Sequence, residues 1–231
     1  MRHSLSLFTG IASFTMATAH AEIPRYSEAC ETELALSAGP VYMREDAGVY
    51  VLGSDGFELV RESKNGFVCI VERDSDESLI PQCFDRLGQL SHIPPHKDSV
   101  KKRLAGMEWD QIKKERQEGF DSGQYSIASG PGVVYMASDY NLAVSTDGKT
   151  RTKIAPHVMY HAPNLTNEDI GSDPRLSLAN RGMPFIIQPG PLGFMVSFTE
   201  KPTNSSAVIS ACKDELPDIE LYQSFPPQHD H

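Results

Sequence analysis

Basic residues are the minority charge in this chain: 21 Lys and Arg stand against 31 Asp and Glu, for a formal net charge of −10. That sign repels a phosphate backbone. The only basic cluster, Lys97 to Arg103, is too short to reverse the field, so nucleic acid is not an expected partner. Long apolar runs are missing too. Beyond the first 21 residues no stretch approaches the roughly 20 apolar residues that span a bilayer, so no transmembrane segment is expected in the mature chain. Motifs with a known mechanism are equally scarce. There is no G-x-S-x-G elbow, no H-E-x-x-H, no Gly-rich phosphate loop and no C-x-x-C pair, and Gly130-Pro131-Gly132 reads as a turn. No residue is therefore assigned to catalysis.

What is present points first to export. Met1-Arg2-His3 is a short basic start, Leu5 to Ala17 is an apolar core too short to cross a membrane, and Ala19-His20-Ala21 has the A-x-A form of a cleavage site. Residues 1–21 are expected to be a signal peptide, with a periplasmic or extracellular mature chain. The four cysteines, Cys30, Cys69, Cys83 and Cys212, are an even set, which in an exported protein favours two disulfides. Three connectivities are possible. A local Cys69–Cys83 bridge is the economical one, and Cys30 and Cys212 would then tie the two ends together.

The stretch from Gly48 to Asp85 reads as an antiparallel β-meander. Val49-Tyr50-Val51-Leu52 is β-branched and aromatic, Gly53-Ser54-Asp55-Gly56 is a tight turn, and Asn65-Gly66 is a hairpin signal before the next run. Phe67-Val68-Cys69-Ile70-Val71 is continuously apolar and reads as a buried central strand. Ser91 to His96 carries Pro94-Pro95, which argues against regular structure there. Lys97 to Gly119 is the clear helical region, capped by Asp98 or Ser99 and divided near Gly106, with Val100, Leu104, Trp109 and Ile112 as its apolar stripe. Its charged residues, among them Arg103, Lys113 and Arg116, read as a solvated face.

Strands resume at Gly132–Met136, Leu142–Val144 and Ala155–Pro163. Pro184–Ile187 and Gly193–Phe198 read as a closing hairpin, and 173–182 as a loop. The expected fold class is α+β, predominantly antiparallel sheet with a helical insertion at 97–119. The expected organisation is a single domain over 22–200, its two β blocks forming two sheets, followed by a polar, Pro-rich tail over 201–231 whose main tether is Cys212.

Candidate site residues concentrate in PHVMYHAPNLTNEDIG, residues 156–171. His157 and His161, like His92 and His96, are four apart, a spacing that puts both imidazoles on one face of a strand, and Asp169 supplies a nearby carboxylate for a metal. Tyr160, Asn164 and Asn167 offer the aromatic and amide groups of a ligand site. Together with NGFVCIVER, YVLGSDGFELVRE and CFD, this phrase resembles a group of uncharacterised exported bacterial proteins. The resemblance implies export and an intact fold, and it implies no activity. The expected function is an exported binding or envelope-associated module for an unknown small molecule or envelope partner. The alternative is a metal-dependent or hydrolytic enzyme with its site near residues 157–171.

Overall fold

The computed structural model describes residues 23–199 and 205–225. The expected signal peptide and the terminal His229-Asp230-His231 lie outside the described residues. The elements in order are α1 (Glu28–Leu36), α2 (Val41–Arg44), β1 (Gly48–Gly53), β2 (Gly56–Arg61), β3 (Val68–Glu72), β4 (Ile80–Phe84), α3 (Arg86–Ser91), α4 (Ile93–Leu104) and α5 (Trp109–Asp121). There follow β5 (Val133–Met136), β6 (Leu142–Val144), β7 (Arg151–Ile154), β8 (His157–His161), α6 (Pro174–Ala179), β9 (Phe185–Ile187), β10 (Phe194–Phe198), α7 (Ser206–Cys212) and β11 (Gln223–Phe225).

The two β blocks join in one eight-stranded sheet, ordered β2-β1-β3-β4-β5-β8-β10-β9. The smaller strands β11-β7-β6 form a second sheet. The expected pair of block-sized sheets is corrected by the β4–β5 ladder, which sets Cys83 opposite Tyr135 and Phe84 opposite Val134. Most pairs are antiparallel, and the class is α+β as the composition implied. The meander is corrected as well. β3 does not return along β2; it runs parallel to β1, with Gly48 opposite Val68 and Val49 opposite Cys69. The reason lies in Asn65-Gly66. Asn65 donates its amide to the Met43 carbonyl at 2.8 Å and accepts from the Phe67 amide at 3.0 Å, carrying the chain across to the free side of β1. Gly66 sits at φ 81°, where a side chain would be strained. β2, with Glu58, Leu59 and Val60 exposed, is left as the edge, while β3 gains a neighbour on each side.

The run at β3 is continuously apolar because both faces of this strand are covered. Cys69 and Val71 pack with Leu34, Val49 and Val208 in one core. Val68 and Ile70 pack with Phe84, Val100 and Ile112 in another. Helices α1 and α7 therefore cover one face and α4 and α5 the other, a three-layer arrangement. Both disulfides form. Cys69–Cys83 links directly opposed residues of β3 and β4, and Cys30–Cys212 joins α1 to α7 across a separation of 182 residues.

Four further expectations are overturned. Pro94 and Pro95 begin α4 rather than prevent it, because the first helical turn needs no donors from these residues. Asp98 is accordingly no cap; it bonds Tyr125 and pairs with Lys102 at 2.8 Å. Residues 205–225 are more than a tail on one tether. β11 pairs in parallel with β7, Tyr222 is buried, and Glu215 accepts from the Ser27 amide at 2.7 Å and its hydroxyl at 2.8 Å. Finally, 174–179 is a short helix whose first turn is capped by Asp173, not a loop.

Candidate functional site

Alternation along the central strands builds the floor of a cavity. On β3 and β4 the side chains facing α4 and α5 are Glu72, Ile80 and Gln82. On β5, β8 and β10 they are Met136, His157, Met159, Phe194, Val196 and Phe198, with Phe185 and Ile187 on β9. The register aligns them, Met136 against His157, His157 against Phe198 and Met159 against Val196. The roof comes from His92, Pro95 and His96 around the start of α4 and from one face of α5. On α5, Lys113, Arg116, Gln117 and Phe120 follow the helical period. The space between floor and roof is about 1000 Å³ and opens to solvent, at the upper end for small-molecule sites. Its floor crosses six neighbouring strands from β3 to β9, roughly 24 Å at about 4.8 Å per step.

The polarity of the walls is graded. Glu72 lies 2.8 Å from His96 Nδ1 and 3.5 Å from Arg116, and it accepts a short hydrogen bond from the Gln82 amide. Burial by itself would raise this carboxyl. The His96 and Arg116 charges and the bonds from His96 and Gln82 outweigh that and hold it at about 2, so Glu72 is ionised. Away from β3 and β4 the floor is Met and Phe, interrupted by His157. His157 Nδ1 lies 2.8 Å from the Ala155 carbonyl. Because a carbonyl only accepts, Nδ1 carries the proton and Nε2 is a bare lone pair, and burial pushes the ring's pKa below its ordinary value.

The other three imidazoles meet beside this floor. The His92 ring centroid is 5.4 Å from that of His161 and 6.5 Å from that of His96, and Phe84 and Phe194 pack edge-on or tilted against the group. His161 Nε2 is buried, lies 3.8 Å from Asp85 and makes no hydrogen bond among the described residues. Asp85 is held by the amides of Gly88 and Val133, at 2.8 and 2.7 Å. Gly132 is required here, since a Cβ on it would come within 2.4 Å of Asp85 and 2.5 Å of His161. Burial lowers the His92 pKa to about 3, helped by the neighbouring His96 and His161 and opposed by Glu72 and the bond at Ser91.

That depression has a measurable consequence. Below about pH 6.5 the unfolded chain protonates residue 92 while the folded chain does not, until pH reaches about 3. Stability therefore rises with pH across this window and is lost as pH falls through it. The ring borders a cavity open to water, so the full shift is discounted to on the order of 2 kcal/mol between pH 7 and 4.5. Urea denaturation at both pH values is expected to show this loss in the wild type and a smaller one in His92→Phe. Equal losses would remove His92 from the account.

The residues singled out in 156–171 separate. His157 and His161 both point to the cavity side of β8, but Asp169 is elsewhere, accepting from the Thr166 amide and hydroxyl at 2.8 Å each. Among the described residues no group of three or more His, Cys, Asp or Glu is placed to hold a metal ion, so the trio His157, His161 and Asp169 is not assembled. Tyr160 is on the opposite face of β8 and 40% exposed. Asn164 occupies a positive-φ turn at 63°. Asn167 clamps β9, donating to the Ile186 carbonyl at 3.1 Å and accepting from its amide at 2.8 Å. None of the three lines the cavity.

Glu72, Gln82, Lys113 and Arg116 were not legible as site residues. The signal available was the single acid ending an apolar strand, together with the one-face spacing of Lys113, Arg116, Gln117 and Phe120. The reading of Lys113 and Arg116 as purely solvated is corrected. Arg103 is also buried, with its guanidinium paired to Asp76 through two contacts of 2.8 Å, and the lone Trp109 donates to the same carboxylate.

This architecture defines a disulfide-stapled α+β protein with an open cavity of ligand size between its main sheet and helices α4 and α5. The chain matches no family model, no curated protein and no solved structure. Two disulfides fit an exported protein, and among the described residues no helix is long and apolar enough to cross a membrane.

Proposed function

We propose that this chain is a periplasmic or secreted carrier that holds one small amphipathic molecule between its main sheet and helices α4 and α5. The observation that carries the reading is the graded cavity of about 1000 Å³. A Met- and Phe-lined floor suits an apolar body, while the Glu72–Gln82–His96–Arg116 cluster offers fixed donors and acceptors to a polar head. The export signal in the sequence, the two disulfides and the resemblance to exported bacterial proteins support the location.

A fluorescent long-chain fatty acid is the direct probe. It is expected to bind saturably with one site per chain. Met159→Trp, which adds bulk to the middle of the floor, is expected to weaken binding about tenfold or more, since overfilling excludes the ligand by sterics. Saturable binding unaffected by Met159→Trp would place the ligand outside the cavity.

A second reading, a hydrolytic enzyme, is favoured by one contact. Glu72 lies 2.8 Å from His96 Nδ1, which sets the two residue types of acid–base catalysis side by side at the cavity wall. Among the described residues no Ser, Thr, Cys or Tyr lines the cavity, and the reading is that such a base acts on water or on the ligand itself.

A further inference from the structure

The Met and Phe floor suits a plain hydrocarbon everywhere except at one atom. His157 stands between Met136 on β5 and Phe198 on β10, its ring set edge-on to that of Phe198 with centroids 6.1 Å apart. The residue is 5% exposed, and its Nδ1–H is committed to the Ala155 carbonyl at 2.8 Å, which fixes the orientation of the ring. Nε2 makes no hydrogen bond among the described residues, and it is not sealed off: it opens onto the cavity. Burial disfavours the imidazolium, so this nitrogen presents a lone pair and no proton.

The surrounding floor cannot satisfy that lone pair, because Met136, Met159, Phe185 and Phe198 carry no side-chain donor. Water entering the open cavity can. A plain hydrocarbon lying across His157 strips that water and returns nothing, which costs affinity, whereas a hydroxyl at the same point replaces the lost bond. The sheet also says where along the ligand such a hydroxyl sits. Gln82 on β4 and His157 on β8 have only β5 between them, two strand steps or about 10 Å. A ligand whose head meets the polar wall at Gln82 and whose body crosses the strands passes His157 part-way along that body.

Resting on the carrier reading above, we propose that the ligand is a hydroxylated amphipath, and that His157 Nε2 accepts a hydrogen bond from a hydroxyl about 10 Å along the apolar body from the polar head. His157 is then the residue that selects among amphipaths of one length, while the Met and Phe around it select only by bulk.

The test is competition against the fluorescent fatty acid on the disulfide-bonded chain, using octadecanoic acid, its mid-chain hydroxy derivative and its α-hydroxy derivative. The mid-chain derivative is expected to bind about fivefold or more tighter than the plain acid, and the α-hydroxy derivative no tighter than the plain acid. His157→Leu is expected to reverse the order in favour of the plain acid, because the mid-chain hydroxyl then lies buried without an acceptor. Equal affinity for the three acids, a gain shared by the α-hydroxy derivative, or a mid-chain preference that survives His157→Leu overturns the proposal. Plain acid bound with no such preference sinks the hydroxyl alone; no acid bound sinks the carrier reading with it. Should His157→Leu fail to fold, nitrogen NMR of the wild type decides. The His157 Nε2 resonance is expected farther upfield with the mid-chain derivative bound than with the plain acid bound, and coincident resonances overturn the assignment.

Discussion

Replacing Cys30 and Cys212 with serine is expected to lower the stability of the oxidised protein by about 5 kcal/mol, the largest loss from any single pair of substitutions considered. The bond spans 182 residues, so the chain-entropy treatment assigns it close to the maximum for a domain of this size. The corresponding Cys69→Ser/Cys83→Ser pair closes a separation of only 14 and is expected to lose about 3 kcal/mol. Urea denaturation of the two variants side by side reads the difference. A Cys69–Cys83 deletion that costs as much as the long bridge would show that native packing at these cysteines, rather than unfolded-chain entropy, sets the effect. The long bridge also has a local role. It clamps α7 to α1, assisted by the Ser27–Glu215 bonds, the packing of Val208 and the β11 ladder. In the serine variant, amides of α7 and β11 are expected to exchange with solvent well before those of β3 and β4.

Arg73→Met is expected to destabilise the fold by about 4 kcal/mol, and Glu31→Leu by a similar amount, whereas the double substitution is expected to lose far less than either. Arg73 is fully buried. Its guanidinium donates to both Glu31 oxygens at 3.1 and 2.9 Å and to the Val71 carbonyl at 2.8 Å, leaving Nε without a hydrogen-bond partner among the described residues. Burial pushes the Glu31 carboxyl above its ordinary value, with Arg73 opposing it, so the pair sits where each charge depends on the other. Removing one strands the other in an apolar layer between α1 and β3; removing both replaces an expensive desolvation with ordinary packing. A double-mutant cycle in urea measures the coupling. Additive losses would mean that water reaches the site and that the pair is no more than a surface contact.

Local chemistry was legible where one residue decides the outcome within its own segment. Gly106 at φ 94° separates α4 from α5, and the hairpin β9–β10 forms around 188–191. Pro94-Pro95 misled for a positional reason. The same two prolines break a helix interior and open a first turn, and only the start of the helix tells which. Asn65-Gly66 misled in a different way: it makes a turn, but a turn does not choose which edge of β1 the next strand joins.

The candidate site divides along the same line. His157 was read as a site residue from its spacing with His161, and the alternation of β8 does put both on the cavity side. Asp169, Asn164 and Asn167 looked like partners because they are close in sequence, yet their side chains or backbones serve the loop that holds β9. Glu72, Gln82, His96 and Arg116 are contributed by β3, β4, α4 and α5, separated by up to 44 positions, and nothing local connects them.

By itself the sequence determined the charge, the even cysteine set, the apolar periodicities and hence the α+β class, since these depend on short-range sterics and on which side chains avoid water. Only the tertiary structure decided the parallel placement of β3, the fusion of two β blocks into one sheet, and the meeting of an acid, an amide, an imidazole and a guanidinium at one wall of a cavity. Those outcomes depend on strand pairing and layer packing between residues far apart in the chain, where the free energy belongs to the assembled pair and to neither segment alone.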